Sequence, residues 1–388
     1  MHMADALISP LVGGTMWAAA AGVAAYSLRK VQAEMDNRKI PLMGVAGAFI
    51  FAAQMINFSI PATGASGHLG GGLILAILLG PYAGFLAMAS VLAIQALFFA
   101  DGGLLAYGCN LLNLGFFTCF LAYPLLYKRI MRKGYSAKRI LGASMLTAII
   151  GLQLGAFGVV LETLFSGKTE LPFSTFVLLM QPVHLAIGIT EGLVTAAIVT
   201  FIWKTRPEIL DRAAAGRQTG NVPLRQVLIG FALAAVLAGA VLSWFASANP
   251  DGLEWSMLET AGMTELAAPD GIHQALAGIQ RQTAFLPDYG FKAGDSAENS
   301  GASRETNKGG TLQGSQEIIQ GASQGTAPSE SEAAWPAVSA GTSVAGLVGA
   351  GMTLGLAALI GLGISLLKKK QRPLITSVPG SGSKSLQG

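Results

Sequence analysis

The chain has 388 residues and a formal net charge of +4, and its composition excludes an ordinary soluble protein. Apolar residues make up 52%, glycine adds 50 residues, and charged residues account for only 12%, against roughly 25% in soluble domains. Apolar stretches of about 20 residues recur, which is long enough for helices to cross a hydrocarbon core. We therefore expect an all-α integral membrane protein.

The basic residues predict the topology, because cytoplasmic loops are enriched in Lys and Arg. Most of them fall in four clusters, at 29–39, 128–139, 204–225 and from 368 onward. If all four clusters are cytoplasmic, an even number of crossings separates each from the next. The predicted crossings are 8–28, 41–59, a short one near 69–80, 82–100, 103–127, 140–165, 178–203, 226–246 and 343–367.

This pattern predicts a seven-helix bundle at 1–204, a basic cytoplasmic linker at 205–225 and a two-helix module at 226–388. The N-terminus is expected outside the cell membrane and the C-terminus in the cytoplasm. No basic region precedes the first apolar stretch, so no cleaved signal peptide is expected. The outer loop at 247–342 becomes a low-complexity sequence from about residue 293, and we expect it to be largely disordered.

The second residue is a candidate metal ligand. The Met1 amine, the His2 amide nitrogen and the His2 imidazole Nδ1 form adjoining chelate rings around one ion, which suits the square-planar preference of Ni(II) or Cu(II). His68, in the Gly-rich break before the third crossing, is the candidate for the open position. The alternative is that His2 is a solvated terminal residue and His68 a hydrogen-bonded loop residue.

Two further histidines need an interpretation. His184 and Glu191 lie two turns apart on an apolar helix, where ionisable groups are candidates for function, although we expect a hydrogen-bonded packing pair. His273 is expected to be solvated. Cys109 and Cys119 lack the spacing of a zinc site or disulfide framework and are expected in the core.

Sequence motifs of hydrolases and nucleotide-binding loops are absent, so we expect no enzyme and no ATP hydrolysis by this chain. No cofactor and no nucleic-acid partner are expected. Active transport would need energy from a partner protein.

Several motifs resemble the CbiM/NikM family, the substrate-capture (S) components of energy-coupling factor (ECF) transporters for cobalt and nickel. They are Met1-His2-Met3-Ala4-Asp5, Ser66-Gly67-His68-Leu69 with its trailing glycines, and Ala100-Asp101-Gly102-Gly103-Leu104. Pro250-Asp251-Gly252-Leu253-Glu254 is similar to the PDGLE signature of the small CbiN/NikN subunit. The chain thus resembles a fusion of the two subunits.

The resemblance implies that Met1, His2 and His68 hold Ni²⁺ or Co²⁺ as the transported ion, with Ser66 and Gly67 in support. The Ser-Gly-His-Leu-Gly-Gly loop favours nickel. The resemblance also implies partners: a transmembrane coupling (T) subunit, which shares the lipid bilayer with this chain, and cytoplasmic ABC ATPases.

Two other functions remain open from the residues. A gradient-driven secondary transporter or channel could use Glu162, Glu191 and Asp101. A membrane-embedded hydrolase could use His184 and Glu191.

Overall fold

The computed structural model describes residues 2–34, 39–217, 223–269, 271–292 and 335–370 and is mostly helical. Its helices are α1 Pro10–Glu34, α2 Lys39–Gln54, α3 Gly72–Leu79, α4 Pro81–Phe99, α5 Tyr107–Met131, α6 Ala137–Phe165, α7 Phe173–Thr205, α8 Pro207–Ala214, α9 Arg225–Ala240, α10 Gly252–Ala261, α11 Ile272–Thr283 and α12 Ala340–Lys370. Two short antiparallel strands, β1 Phe58–Ser59 and β2 Ser66–Gly67, form a hairpin between α2 and α3.

Six of these helices are long and apolar enough to cross a membrane: α1, α4, α5, α6, α7 and α12. The shorter apolar helices α2 and α9 correspond to two more of the predicted crossings. The integral membrane character is thus supported, whereas the count of nine crossings and the orientation of the loops stay predictions.

Helix α3 explains the short segment predicted near 69–80. It has eight residues, all of them buried, and at 1.5 Å per residue it is about 12 Å long. A helix that is apolar on every side belongs inside a protein rather than at its surface. The hairpin and α3 therefore fold into the bundle, as expected for Gly-rich backbone at this position.

The last two long helices pack against the first part of the chain. Helices α9 and α12 meet at Gly239 and Gly346, where a Cβ on Gly346 would lie 2.3 Å from the Gly239 carbonyl oxygen. Such close contact between helices requires small residues. Helix α12 also contacts α2, since a Cβ on Gly44 would lie 3.0 Å from the Leu354 carbonyl oxygen.

The expectation of a largely disordered outer loop is wrong for its first half. Residues 247–292, apart from residue 270, include α10, α11 and a 3₁₀ turn at Pro287–Tyr289. Leu253, Met257 and Leu286 in this part are buried, so it supplies apolar side chains to a core. We call residues 247–292 the outer segment. Residues 293–334, most of the low-complexity stretch, lie outside the described residues.

Candidate metal site

The extreme N-terminal residues are held in place by Asn110 in the first turn of α5 and by Gly103 in the loop before it. Met3 is fully buried, and its N–H donates to Asn110 Oδ1 at 2.8 Å. Its carbonyl oxygen accepts from Asn110 Nδ2 at 3.2 Å and from the Gly103 N–H at 2.8 Å. Because every backbone polar group of Met3 is paired, the adjoining residue His2 has a fixed position.

The loop that carries His68 is anchored from two sides. The Glu191 carboxylate accepts from the Gly70 N–H at 2.7 Å and from the Gly71 N–H at 3.2 Å. Gln54 Nε2 donates to the Gly70 carbonyl oxygen at 2.9 Å. Gly71 has φ +79°, a conformation that favours glycine. The loop therefore turns sharply after His68 and is fixed by α2 and α7.

His2 and His68 lie against each other. Their ring centroids are 4.9 Å apart and their planes are inclined by 10°. Burial lowers the pKa of His68 to about 3, so its ring is neutral at ordinary pH. Its Nδ1 lies 3.0 Å from the Leu69 carbonyl oxygen, which can only accept. Nδ1 therefore carries the proton, and among the residues that the structure describes the lone pair of the buried Nε2 has no hydrogen-bond partner.

Asp101 contacts the imidazole of His2. Its Oδ1 lies 3.0 Å from His2 Nδ1, and its Oδ2 accepts from the Tyr289 hydroxyl. Burial alone would raise the pKa of Asp101, but His2 and the hydrogen bonds from His2 and Tyr289 outweigh it and lower the pKa to about 2. Asp101 is thus a carboxylate. Because it engages Nδ1, a chelate through that atom requires the His2 imidazole to turn away from Asp101.

The PDGLE motif forms the start of α10. Asp251 Oδ1 accepts from the N–H groups of Leu253 and Glu254, and Glu254 Oε2 accepts from the Asp251 N–H at 2.9 Å. This reciprocal arrangement is a capping box. It explains why the second and fifth residues of the motif, Asp251 and Glu254, are acidic. A Cβ on Gly252 would lie 2.6 Å from Val183 Cγ1, so the glycine lets α10 rest directly on α7.

The same motif is joined to the His68 loop through Ser66. The Ser66 N–H donates to the Pro250 carbonyl oxygen at 2.8 Å, and Ser66 Oγ donates to the Asn249 carbonyl oxygen at 2.8 Å. Gly67 packs on α7, where a Cβ would lie 2.5 Å from Ile187 Cγ1. The two residues expected to support the site thus connect the His68 loop to α7 and to the outer segment.

A cavity of about 520 Å³ opens above the two histidines. Its lining includes six carboxyl side chains and no Lys or Arg among the residues that the structure describes there. The acids are Asp5, Asp101, Asp251, Glu254, Glu265 and Asp288. Clefts lined by one sign of charge raise the local concentration of the opposite ion. We call this cavity the acidic vestibule.

The structure brings together two of the predicted ligands, His2 and His68, whereas Met1 lies outside the described residues. Within the described ranges, no group of three or more His, Cys, Asp or Glu side chains is arranged to hold a metal ion. Cys109 and Cys119 are buried in the core, as expected.

Two expectations about the other histidines are wrong. His184 and Glu191 do not pair, because His184 Nδ1 contacts the Met180 carbonyl oxygen while Glu191 caps the His68 loop. His273 is 2% exposed, and its Nε2 lies 2.9 Å from the Ile8 carbonyl oxygen. His273 is thus buried by docking of the outer segment near Ile8, which sequence composition did not indicate.

Sequence reasoning also missed Asn110 and Tyr289. Asn110 had a signal, since an amide within an apolar helix needs a partner. Tyr289 had none, because its partner Asp101 is 188 residues away in the chain.

The comparisons with known proteins agree on the family. Residues 2–209 match the CbiM family, described as the cobalt uptake substrate-specific transmembrane region, and residues 225–366 match the PDGLE domain. A protein of Haloquadratum walsbyi, provisionally named a metal transport protein, is 37% identical over 54% of this chain and 93% of its own. One of Archaeoglobus fulgidus, provisionally named a fused nickel transport protein, is 35% identical over 62% of this chain and 79% of its own.

Among solved structures, a crystal structure described as a truncated transition metal transporter is 28% identical and covers 53% of this chain and 99% of its own, with a TM-score of 0.48. The CbiM match spans more than half of the chain. The PDGLE match spans α9, the outer segment and most of α12. The chain belongs to the CbiM family of cobalt and nickel transport proteins, fused to a PDGLE domain.

Proposed function

We propose that this protein is the substrate-capture component of an ATP-driven ECF importer and that it binds Ni²⁺ or Co²⁺ at the outer face of the cell membrane. The ion would be held in a planar site by the Met1 amine, the His2 amide nitrogen and imidazole, and His68 Nε2. The N-terminus and the acidic vestibule would lie outside, and the C-terminus in the cytoplasm.

One observation carries this proposal. His68 Nε2 is a buried, unprotonated nitrogen that has no hydrogen-bond partner within the described part of the chain, and its ring stacks on that of His2. A histidine that ligates a metal usually donates its other ring N–H to a carbonyl or carboxylate, which is the arrangement of His68 and Leu69. A buried nitrogen without a partner destabilises the folded protein. A bound cation would satisfy this nitrogen.

The vestibule supports cation capture at this place. Its carboxyl groups surround the opening above His2 and His68, and the pKa of Asp101 stays low enough to keep its charge. A divalent cation is therefore attracted to the nitrogen donors, while anions are repelled.

We propose nickel as the preferred ion. An amine, an amide nitrogen and imidazoles give a strong planar field, which suits Ni(II) better than ions that favour octahedral oxygen sites. The name of the Archaeoglobus relative also refers to nickel. The chelate predicts that a Gly-Ser extension before Met1 abolishes binding in the planar site, since the Met1 amine becomes an amide.

The partners are proposed to be a transmembrane coupling subunit and cytoplasmic ABC ATPases. Vesicles with this chain alone should show no net nickel uptake, whereas vesicles that also contain the partners should accumulate nickel when supplied with ATP.

The alternative of a gradient-driven transporter makes the opposite prediction for the chain alone. Its three candidate acids have other contacts in the structure: Asp101 holds His2, Glu191 caps the His68 loop, and Glu162 accepts from Asn113 Nδ2 at 2.7 Å. Uptake by the chain alone under a proton gradient would refute the ECF proposal.

A further inference from the structure

His184 repeats the arrangement of His68 at a second place. It lies on α7, is 1% exposed, and its Nδ1 is 2.8 Å from the Met180 carbonyl oxygen. A carbonyl oxygen only accepts, so Nδ1 donates and the lone pair is on Nε2. That nitrogen is buried, and none of the described residues forms a hydrogen bond with it.

Both unpartnered nitrogens belong to side chains that line one small cavity. It lies between the His68 loop, the PDGLE motif and the facing helices, and it is lined by Gly67, His68, Gly70, Leu114, Leu152, His184, Ile187, Asp251 and Gly252. Its volume of about 10 Å³ is about that of one small occupant such as a water molecule or ion. We call it the inner cavity.

The inner cavity adjoins the acidic vestibule. His68 and Asp251 line both, whereas His2 and Asp101 line only the vestibule and His184 only the inner cavity. A cation that leaves the N-terminal donors while keeping His68 would therefore reach His184 next.

We propose that His68 Nε2 and His184 Nε2 form a second binding position for the transported divalent cation, inward of the capture site. This rests on the proposed function for the identity of the ion. Imidazole nitrogens suit nickel, cobalt, copper and zinc. The transfer is a ligand exchange in which His68 is kept, the N-terminal donors leave, and His184 enters.

The carboxyl group of Asp251 at the boundary favours a cation in either position. With only two protein nitrogens, the inner position binds more weakly than the planar site. Weak binding suits a transit position, because an ion that is held tightly is not released.

A purely structural role for His184 is the competing explanation. Its Cε1 would lie 3.2 Å from a Cβ on Gly252, so the ring also packs against α10. A packing role predicts that substitutions of His184 change stability and leave metal binding at the inner position unaffected.

The test uses the full chain in lipid nanodiscs with Co²⁺ alone as the probe, because the visible bands of bound Co²⁺ report its ligands. The background variant carries a Gly-Ser extension before Met1 together with His2→Ala, which converts the Met1 amine to an amide and removes the His2 imidazole. We expect residual Co²⁺ binding about tenfold or more weaker than in the unmodified chain. Adding His184→Asn should weaken it at least tenfold further.

His184→Asn keeps an N–H near the Met180 carbonyl oxygen and removes Nε2, and His184→Gln serves as a second variant should the first fail to fold. His273→Gln is the matched control, since His273 is equally buried and lines only the vestibule.

Absence of residual binding in the background variant would overturn the proposal. So would residual binding that is indifferent to both His184 variants, or that is lowered equally by His273→Gln. Failure of the unmodified chain to bind Ni²⁺ in a planar site would instead refute the proposed function, because the residual site is measured without the N-terminal donors.

Discussion

Asp101 links the capture site to the outer segment. One of its oxygens contacts His2 Nδ1, and the other accepts from Tyr289. The carboxylate both fixes the ring of His2 and places a negative charge beside the ion. It must also release Nδ1 when the chelate forms, so Asp101 is suited to hold the empty site in a defined state until an ion arrives.

Asp101→Asn should lower nickel affinity by about tenfold, because it removes a negative charge that lies directly beside His2 and attracts the cation. Isothermal titration of the purified protein measures this. Asp288→Asn is the control, because Asp288 lines the same vestibule. Equal affinities of the two variants would show that general negative charge, rather than the contact with His2, supports the site.

At this scale, the sequence indicated two candidate ligands that lie together in the structure, but it did not indicate the residues around them. A histidine at position two and another in a Gly-rich loop were recognisable because their chemistry is local. The contacts of Asp101 with His2 and of Ser66 with Pro250 join residues that are far apart in the chain, and no local pattern records them.

Among the elements, the His68 loop depends on α7. Glu191 is 1% exposed and accepts two N–H groups of the loop, directly after His68-Leu69. A buried N–H that loses its acceptor costs about 1–3 kcal/mol. The loop would therefore shift if the carboxylate were removed.

Glu191→Ala should reduce nickel affinity at least tenfold and lower the apparent melting temperature. Gln153→Ala is a matched control: Gln153 Nε2 donates to the Gln181 carbonyl oxygen at 2.8 Å and joins α6 to α7, but it does not contact the loop. It should lower the melting temperature and leave the affinity unchanged. Unchanged affinity in Glu191→Ala would contradict the anchoring role.

The helices were predictable where apolar length decides the structure, as in α4, α6, α7 and α12. The outer segment was not, because α10 and α11 are short, with 10 and 12 residues. Both helices are held by contacts with the bundle. Helix α10 packs on α7, and Gln280 Nε2 on α11 donates to the carbonyl oxygens of Ala96 and Gly102 at 2.8 Å.

In the whole molecule, the PDGLE domain contacts the proposed metal site of the CbiM region. Asp251 and Tyr289 of the PDGLE domain lie at this site. A further hydrogen bond joins the CbiM region to the PDGLE domain, because Ser59 Oγ donates to Ser247 Oγ at 2.9 Å. The fused chain therefore forms one structure around the vestibule, and access to His2 depends on the outer segment.

Ser59→Cys combined with Ser247→Cys should form a disulfide under mild oxidation. The two Oγ atoms lie 2.9 Å apart, and the sulfur atoms that replace them need to come only slightly closer, to about 2.05 Å. A protease site placed within 218–222 separates the halves, so the disulfide would keep both fragments together on a non-reducing gel. Each single variant serves as a control. Separate fragments after oxidation of the double variant would show that the outer segment is not docked as described.

The central claim is that His2 and His68 hold nickel together with the free N-terminus. The most direct measurement is a titration of the protein, with an unextended N-terminus, with Ni²⁺ and Co²⁺, followed by absorption spectroscopy of the bound ion. We predict one diamagnetic, square-planar Ni²⁺ per chain, weaker binding of Co²⁺, and loss of the planar spectrum in His2→Ala and His68→Ala. An octahedral spectrum that is unchanged by both substitutions would contradict the account.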